Sequence, residues 1–204
     1  MKKFELTTEF ITNAFGKKLF RIKALVEFGD VKAGELGGYV EKEENVSQDG
    51  NAWVSGDARV SGDARVSDNA KVSGDARVYG DARVYGNAWV YGDARVYGDA
   101  RVSGNAWVRG DARVYGDARV SGNAWVYGDA DYALVQGFGT EFRCTTFYRG
   151  KNKKIMVNCG CFHGDLEGFR KQVKETRNGK IAKEYLMIAD LMEYHFTSED
   201  SSDE

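Results

Sequence analysis

A valine recurs at every sixth position through the middle of the chain, from Val54 to Val126, without interruption. An alanine stands four residues after each valine, and the commonest unit reads Val-Ser/Tyr-Gly-Asp-Ala-Arg. Side chains alternate along a strand, so alanine and valine point to one side and the arginine between them to the other. The Gly-Asp pair can turn the chain, because glycine accepts a positive φ and Asp or Asn tolerates one better than most residues. Each six-residue unit is therefore predicted to form a short strand and a corner.

A longer period of 18 residues is nested in the shorter one. Asparagine replaces aspartate at positions 51, 69, 87, 105 and 123, and tryptophan occurs at 53, 89, 107 and 125, with Lys71 at the remaining position of that series. Three six-residue sides per coil place residues 18 apart directly above one another. The pattern predicts a three-sided parallel solenoid over residues 51–135, with valine filling the interior. At ~4.8 Å per coil, its four and a half coils form a rod roughly 20 Å long.

The repeat unit resembles that of the hexapeptide-repeat family. Val78-Tyr79-Gly80-Asp81-Ala82-Arg83 follows the family pattern, apart from Tyr or Ser at its second position. The resemblance implies the family's fold, a left-handed parallel β-helix, and the handedness rests on the resemblance alone. The expected fold class is mainly β, with an N-terminal β cap and a small α+β module at the C-terminal end.

Residues 1–50 are predicted to form a β-hairpin cap, because the strand edges at the open end of a solenoid must be covered. Apolar residues alternate over 20–28, which is typical of a strand, and Phe4 and Leu6 indicate a preceding strand. The turn between them is placed at 13–16. The stretch 28–50 resembles the lead-in of bacterial and phage hexapeptide-repeat proteins often described as transferases.

Residues 138–197 are predicted to form a ββαα module. Its strands are placed at 145–149 and 154–159, its first helix after an Asp165 cap, and its second helix at about 181–196. The Gly160-Cys161-Phe162 and Ala182-Lys183-Glu184-Tyr185-Leu186 runs resemble a module of phage-encoded proteins, which implies a phage or prophage origin. Residues 198–204 carry four acidic side chains and are predicted to be a disordered tail.

The tryptophan-bearing side is the predicted partner-binding surface, since Trp, Tyr and Arg dominate binding hot spots. The alternatives are a ladder that only stabilises the coils, or one that the C-terminal segment covers. The partner is expected to be a protein or a second copy of the chain, and trimeric members of the resembled family suggest a trimer. The candidate residues are Trp89, Tyr91, Trp107, Arg109, Trp125 and Tyr127.

A second side carries stacked arginines and tyrosines, which could hold a small anionic ligand such as a nucleotide. The favoured interpretation is a solvent-facing lattice, because neighbouring aspartates compete for the same guanidinium groups. The asparagine series is predicted to form an amide ladder between coils. The candidate anion-binding residues are Arg77, Tyr79, Arg95, Tyr97, Arg113 and Tyr115.

Catalysis is not expected. Acyltransferases of the hexapeptide family use a histidine as general base, whereas this chain has only His163 and His195, both outside the coils. A CoA-dependent acyltransferase remains an alternative through the resemblance, and no cofactor is expected. Cys144, Cys159, Cys161 and His163 form an alternative zinc set, although packing of the cysteines as small apolar groups is favoured.

Composition narrows the remaining classes. The 29 basic and 31 acidic residues nearly balance, which makes a nucleic-acid partner unlikely on charge grounds. No apolar stretch approaches the roughly 18 residues that span a bilayer, and the first residues lack the apolar core of a signal peptide. Three cysteines, an odd number, fit reduced thiols. The sequence thus predicts a cytoplasmic, non-enzymatic binding or scaffold protein.

Overall fold

The coils are built from two-residue strands, one for each six-residue unit. The computed structural model describes residues 2–197, so the predicted tail at 198–204 lies outside the described residues. Three longer strands come first, namely β1 (Phe4–Thr12), β2 (Lys18–Ala24) and β3 (Leu36–Val40). The coil strands follow: β4 (Trp53–Val54), β5 (Arg59–Val60), β6 (Arg65–Val66), β7 (Lys71–Val72), β8 (Arg77–Val78), β9 (Arg83–Val84), β10 (Trp89–Val90), β11 (Arg95–Val96), β12 (Arg101–Val102), β13 (Trp107–Val108), β14 (Arg113–Val114), β15 (Arg119–Val120) and β16 (Trp125–Val126).

Three parallel sheets form the three sides, and the predicted solenoid is confirmed. The first side orders β4-β7-β10-β13-β16, the second continues β5-β8-β11-β14 from the N-terminal strands, and the third orders β6-β9-β12-β15. Each strand pairs with the strand 18 residues away, as in Val90 opposite Val72 and Val108. The coil valines and alanines from Ala52 to Val126 are at most 1% exposed, so they form one continuous core.

The corners depend on glycine at positive φ. Gly104 has φ +67, and a Cβ there would lie 2.8 Å from the backbone nitrogen of Gly122 in the next coil. Asp68 is the one coil residue other than glycine with a positive φ, at 59°, and its carboxylate accepts a 2.9 Å hydrogen bond from the Gly86 amide. Positive φ and the close spacing of successive corners therefore favour glycine at this position, although Asp68 shows that one corner accommodates a side chain.

The N-terminal cap has one strand more than the predicted hairpin. Strand β2 ends at Ala24 rather than at residue 28, and β3 pairs antiparallel with β2 and parallel with β5. Two glycines allow this approach, because a Cβ on Gly37 would lie 2.7 Å from the Trp53 ring and one on Gly38 would lie 2.6 Å from the Ala58 carbonyl oxygen. Such glycines weaken the strand signal in the sequence, which is why β3 was not predicted.

The cap also satisfies the free carbonyl groups of the first coil. The backbone amides of Tyr39 and Glu41 donate to Ala58 and Val60, at 2.9 and 3.0 Å. The buried Asn45 side chain donates to the carbonyls of residues 62 and 64. The Lys3 ammonium donates to the carbonyl of residue 52 at 3.0 Å. An edge that would otherwise bind another chain is thereby closed.

The C-terminal module contains four strands rather than the two predicted. They are β17 (Tyr132–Phe138), β18 (Arg143–Arg149), β19 (Ile155–Cys159) and β20 (Phe162–Asp165), in one antiparallel sheet. Helices α1 (Leu166–Thr176) and α2 (Gly179–Thr197) pack on it. The predicted Asp165 cap is confirmed, since its side chain accepts a 2.9 Å hydrogen bond from the Gly168 amide. The module begins at Tyr132, inside the range assigned to the coils, because the valine repeat gives way there to an ordinary hairpin.

The module is attached to the last coil by specific hydrogen bonds. Thr146 Oγ1 accepts from the Arg119 amide at 3.0 Å, and the Asn158 side chain donates to the Arg119 carbonyl at 2.7 Å. The Lys151 amide donates to the Asn123 carbonyl at 2.9 Å. No helix in the described part of the chain is both long and apolar enough to cross a membrane.

Candidate functional site

Three tryptophans form a row on the first side of the solenoid. Parallel register places Trp89 beside Trp107, and Trp107 beside Trp125. The Trp107 and Trp125 rings stack with centroids 5.5 Å apart and planes at 12°, whereas Trp89 meets Trp107 edge-on at 5.7 Å. With their neighbours they make up the tryptophan face: Trp89, Tyr91, Trp107, Arg109, Trp125 and Tyr127.

The neighbours of the tryptophans hold the indole rings in place. Tyr91 lies 4.8 Å from Trp89, and Tyr127 lies 5.9 Å from Trp125, between ring centroids. The Arg109 guanidinium lies 3.7 Å from the centre of the Tyr127 ring. The Trp89 indole N–H donates a 3.0 Å hydrogen bond to Ser73. The structure thus brings all six predicted residues together in one ordered surface.

The fourth tryptophan does not belong to this surface. Trp53 is only 4% exposed and packs edge-on against Phe4 and Phe28 of the N-terminal cap. Lys71 fills the next position and forms an ion pair with Asp30 of the same cap. By contrast, Trp89 remains 36% exposed, and Trp107 and Trp125 are half-buried. The cap, rather than the C-terminal segment, covers the start of the row.

The edges of the tryptophan face differ in charge. One edge is the predicted amide ladder, which is confirmed by side-chain hydrogen bonds of 2.9–3.1 Å linking Asn51, Asn69, Asn87, Asn105 and Asn123 in order. The other edge carries aspartates at 57, 75, 93 and 111. At the C-terminal end, Lys151 lies 5.7 Å from the Trp125 ring centre. Neither Lys151 nor Arg109 pairs with a carboxylate of the described residues, so both cations are available to a partner.

The second side, the alternative anion-binding surface, carries a column of stacked tyrosines. Tyr79 and Tyr97 stack at 4.9 Å and 2°, Tyr97 and Tyr115 stack at 5.4 Å, and Tyr132 closes the stack edge-on. Burial and the neighbouring tyrosine raise the pKa of Tyr79. Because the rings contact one another, no slot between them is left for a ligand. Anion binding by Arg77, Arg95 and Arg113 stays a prediction, with no observation in its favour.

The arginines and aspartates of the coils, which the sequence predicts to form a solvent-facing lattice, make few direct contacts with one another. None of the arginines at 59, 65, 77, 83, 95, 101 and 119 forms an ion pair with a carboxylate in the described part of the chain. The aspartates occupy the corners and the arginines the flat sides. Their mutual neutralisation therefore acts through the solvent-screened field rather than through hydrogen-bonded pairs.

The structure does not support the alternative zinc set of Cys144, Cys159, Cys161 and His163, which stays a prediction. Among residues 2–197, no three His, Cys, Asp or Glu side chains are grouped as metal ligands would be. Cys159 accepts a hydrogen bond from Thr145, His163 Nδ1 lies 2.6 Å from Asn158 Oδ1, and Cys161 is exposed in the β19–β20 turn. Burial raises the pKa of the Cys144 thiol, which favours its neutral form.

The histidines lie where the sequence placed them, outside the coils. His163 is on β20 beside the last coil, within 3.5 Å of Ser121 and Tyr148. His195 is on α2, with its ring 4.9 Å from that of Phe196. The sequence reasoning did not foresee that the β19–β20 turn brings His163 and Asn158 to the third side of the solenoid. Nothing local in the sequence signals this, since about forty residues separate them from Ser121.

Comparison with known families finds a solenoid repeat within the coils. The YdcK beta-solenoid repeat matches five overlapping or successive stretches, at residues 52–68, 58–74, 76–92, 94–110 and 112–128. No curated protein matches the chain. All five stretches lie within the coils, so the similarity supports a solenoid repeat protein and does not extend to the cap or to the C-terminal module.

Proposed function

We propose that the protein is a non-enzymatic scaffold whose tryptophan face docks a protein partner. The observation that carries the proposal is the row of Trp89, Trp107 and Trp125, held by ring contacts on a rigid solenoid and left partly exposed by the cap and the rest of residues 2–197. Exposed indoles are costly for a protein to display to water, and aromatic rings with arginine are the residues that dominate protein interfaces.

Preorganisation favours tight binding by this surface. Each indole already contacts its neighbours, and Trp89 is further fixed by its hydrogen bond to Ser73. The backbone beneath Trp89 and Trp107 is paired on both sides by adjacent coils. A partner therefore loses little free energy to ordering these side chains, which is a main cost of association.

Charge specifies the chemistry of the partner. Arg109 and Lys151 stand at one end of the face, beside the stacked rings of Trp107 and Trp125, and neither pairs with a carboxylate among the residues that the structure describes. We therefore expect a partner surface that combines apolar side chains with at least one carboxylate. A phage or prophage origin, implied by resemblance of the C-terminal module, is part of the same proposal.

The test compares aromatic pairs on two different sides of the solenoid. Trp89→Ala with Trp107→Ala removes the proposed contact, and Tyr79→Ala with Tyr97→Ala removes a stacked pair from the second side as a matched control. Proteins captured from lysate by the wild type are purified and titrated by calorimetry. We expect the tryptophan pair to weaken a true partner at least a hundredfold, the tyrosine pair less than threefold, and both variants to retain the wild-type circular dichroism.

A charge test makes the assignment specific. Arg109→Glu should weaken binding at least tenfold, and replacing the facing carboxylate of the partner by lysine should restore most of it. Equal losses in the tryptophan and tyrosine pairs would overturn the proposal. So would a wild-type oligomer that falls to monomer when Trp89 and Trp107 are replaced, because the occupant would then be a second copy of the chain.

A further inference from the structure

A groove follows the arginines of the third side. Arg65, Arg83, Arg101 and Arg119 lie directly opposite one another in successive strands, and all four side chains are exposed. A hydroxyl stands two residues after each arginine, supplied by Ser67, Tyr85, Ser103 and Ser121. Each coil therefore presents one guanidinium and one hydroxyl, at intervals of ~4.8 Å along a straight line. We call this surface the arginine groove.

Two connected cavities give the groove walls. A cavity of about 440 Å³ runs from Glu44 and Ser47 of the N-terminal cap to Tyr85 and Arg101. A cavity of about 170 Å³ continues from Tyr85 and Arg101 to the β19–β20 turn of the C-terminal module. The shared residues make the two cavities one path. It is closed at its far end by Asn158 and His163 beside Arg119.

The edges of the third side favour an anion more than those of the second. Aspartates at 63, 81, 99 and 117 bound the third side on one edge, whereas the other edge carries the uncharged asparagine ladder together with the carboxylate of Asp68. The second side lies between two aspartate columns, at 57–111 and at 63–117. With equal numbers of arginines, the third side has the more positive potential.

The closed end of the groove is fixed in position. The Asn158 amide donates to the Arg119 carbonyl at 2.7 Å and to Ser121 Oγ at 3.2 Å, which ties the β19–β20 turn to the last coil. Its carbonyl oxygen lies 2.6 Å from His163 Nδ1 and sets the orientation of that ring. Glu44 places a carboxylate at the opposite end. An anionic ligand is therefore favoured at the Arg101–Arg119 end.

We propose that the arginine groove binds a linear oligophosphate, with one phosphate between Arg101 and Arg119 and the chain extending towards Arg83. The planar guanidinium binds phosphate oxygens in pairs, and none of these arginines is occupied by a carboxylate of residues 2–197. Ser103 and Tyr85 add hydroxyl donors along the path. A straight row of evenly spaced cations matches a chain of repeating charges better than a single anion.

The probes are orthophosphate, tripolyphosphate and a nucleoside triphosphate, titrated by calorimetry into the full chain. Tripolyphosphate should bind at least tenfold more tightly than orthophosphate, because it engages more than one arginine. If a nucleoside triphosphate binds with the same affinity as tripolyphosphate, the groove recognises the phosphates alone. Tighter binding of the nucleoside triphosphate identifies a nucleotide as the source. Both results support the groove, whereas no binding of tripolyphosphate overturns it.

The variants compare two equivalent pairs of arginines. Arg101→Gln with Arg119→Gln should weaken tripolyphosphate binding at least tenfold, and Arg77→Gln with Arg95→Gln, on the second side, should change it less than twofold. Equal losses of affinity from both pairs would mean that binding depends only on the overall positive charge, and this would overturn the proposal. If the first pair does not fold, Ser103→Asp in the groove and Ser61→Asp on the second side repeat the comparison with single added carboxylates. Again, only the groove variant should lose binding.

Discussion

The ammonium group of Lys3 donates a 3.0 Å hydrogen bond to the carbonyl oxygen of Ala52, on the open edge of the first coil. Lys3 is only 4% exposed, and a second hydrogen bond of 3.3 Å reaches the Gly50 carbonyl. The ammonium also lies 4.7 Å from the centre of the Phe28 ring. The ammonium group thus donates to carbonyl groups of the first coil, which has no preceding coil to supply backbone donors.

We expect Lys3 to make the free energy of unfolding depend on pH in the alkaline range. Burial lowers the Lys3 pKa from 10.5 to about 8, so between about pH 8 and pH 10.5 the unfolded chain binds more protons than the folded one. Stability therefore rises with pH in this window, by up to roughly 1.4 kcal/mol per pH unit. Urea unfolding at pH 7.5 and pH 10 should show the wild type gaining stability relative to Lys3→Met. An identical pH dependence in both proteins would contradict the assignment.

The asparagine ladder should discriminate sharply between an amide and a carboxylate. Asn87 accepts from Asn69 and donates to Asn105, so Asn87→Asp removes one donor and turns a charge towards the Asn105 oxygen. We expect a loss of about 1 kcal/mol at pH 7 by urea unfolding. The loss should shrink at acidic pH, where the new carboxyl becomes protonated. Asp81→Asn, in an aspartate column, is the matched control and should be neutral or slightly stabilising.

Gly38 should tolerate no side chain. A Cβ there would lie 2.6 Å from the Ala58 carbonyl oxygen and 2.8 Å from a methyl group of Val54, so Gly38→Ala forces β3 away from the first coil. We expect thermal unfolding to report a loss of about 2–3 kcal/mol. Gly128→Ala, where the nearest atom would be 3.4 Å away and φ is extended, should cost less than about 1 kcal/mol. Equal costs would mean that β3 has room to move.

Thr146 should anchor the C-terminal module through one hydroxyl. It is buried, and its Oγ1 accepts the hydrogen bond of the Arg119 amide, which no further coil can satisfy. Thr146→Val keeps the shape but leaves that amide without an acceptor, at a cost of about 1–3 kcal/mol in urea unfolding. Thr146→Ser retains the hydroxyl and should recover most of the loss. A valine variant as stable as the serine variant would exclude this role.

The solenoid could be predicted because the same sequence pattern recurs in every coil. Each valine, alanine and corner glycine has the same surroundings in every coil, so the pattern around Val90 specifies the same strand as that around Val72. The tryptophan face followed from the same period, since residues 18 apart must be neighbours. These predictions needed no knowledge of contacts distant in the sequence.

The ends resisted prediction because each contact there occurs once. The burial of Trp53 depends on Phe4 and Phe28, which approach it only after the cap has folded. The closed end of the arginine groove depends on Asn158 meeting Ser121 and Arg119. Strand β20 is only four residues long, which is too short for alternation to distinguish it from a turn. Such juxtapositions are set by packing rather than by local propensity.

The near identity of the coils poses a problem for folding pathways. During folding, a coil can pair with a coil that is not its native neighbour. The valines still pack on valines when the alignment is shifted by 18 residues. The unit around Asp68 and Lys71 differs from all others, and Lys71 forms its ion pair with Asp30 of the N-terminal cap. A misaligned chain loses the ion pair with Asp30, because it places an uncharged tryptophan where Lys71 belongs. We therefore expect the unit of Asp68 and Lys71 to favour the correct alignment of the coils during folding.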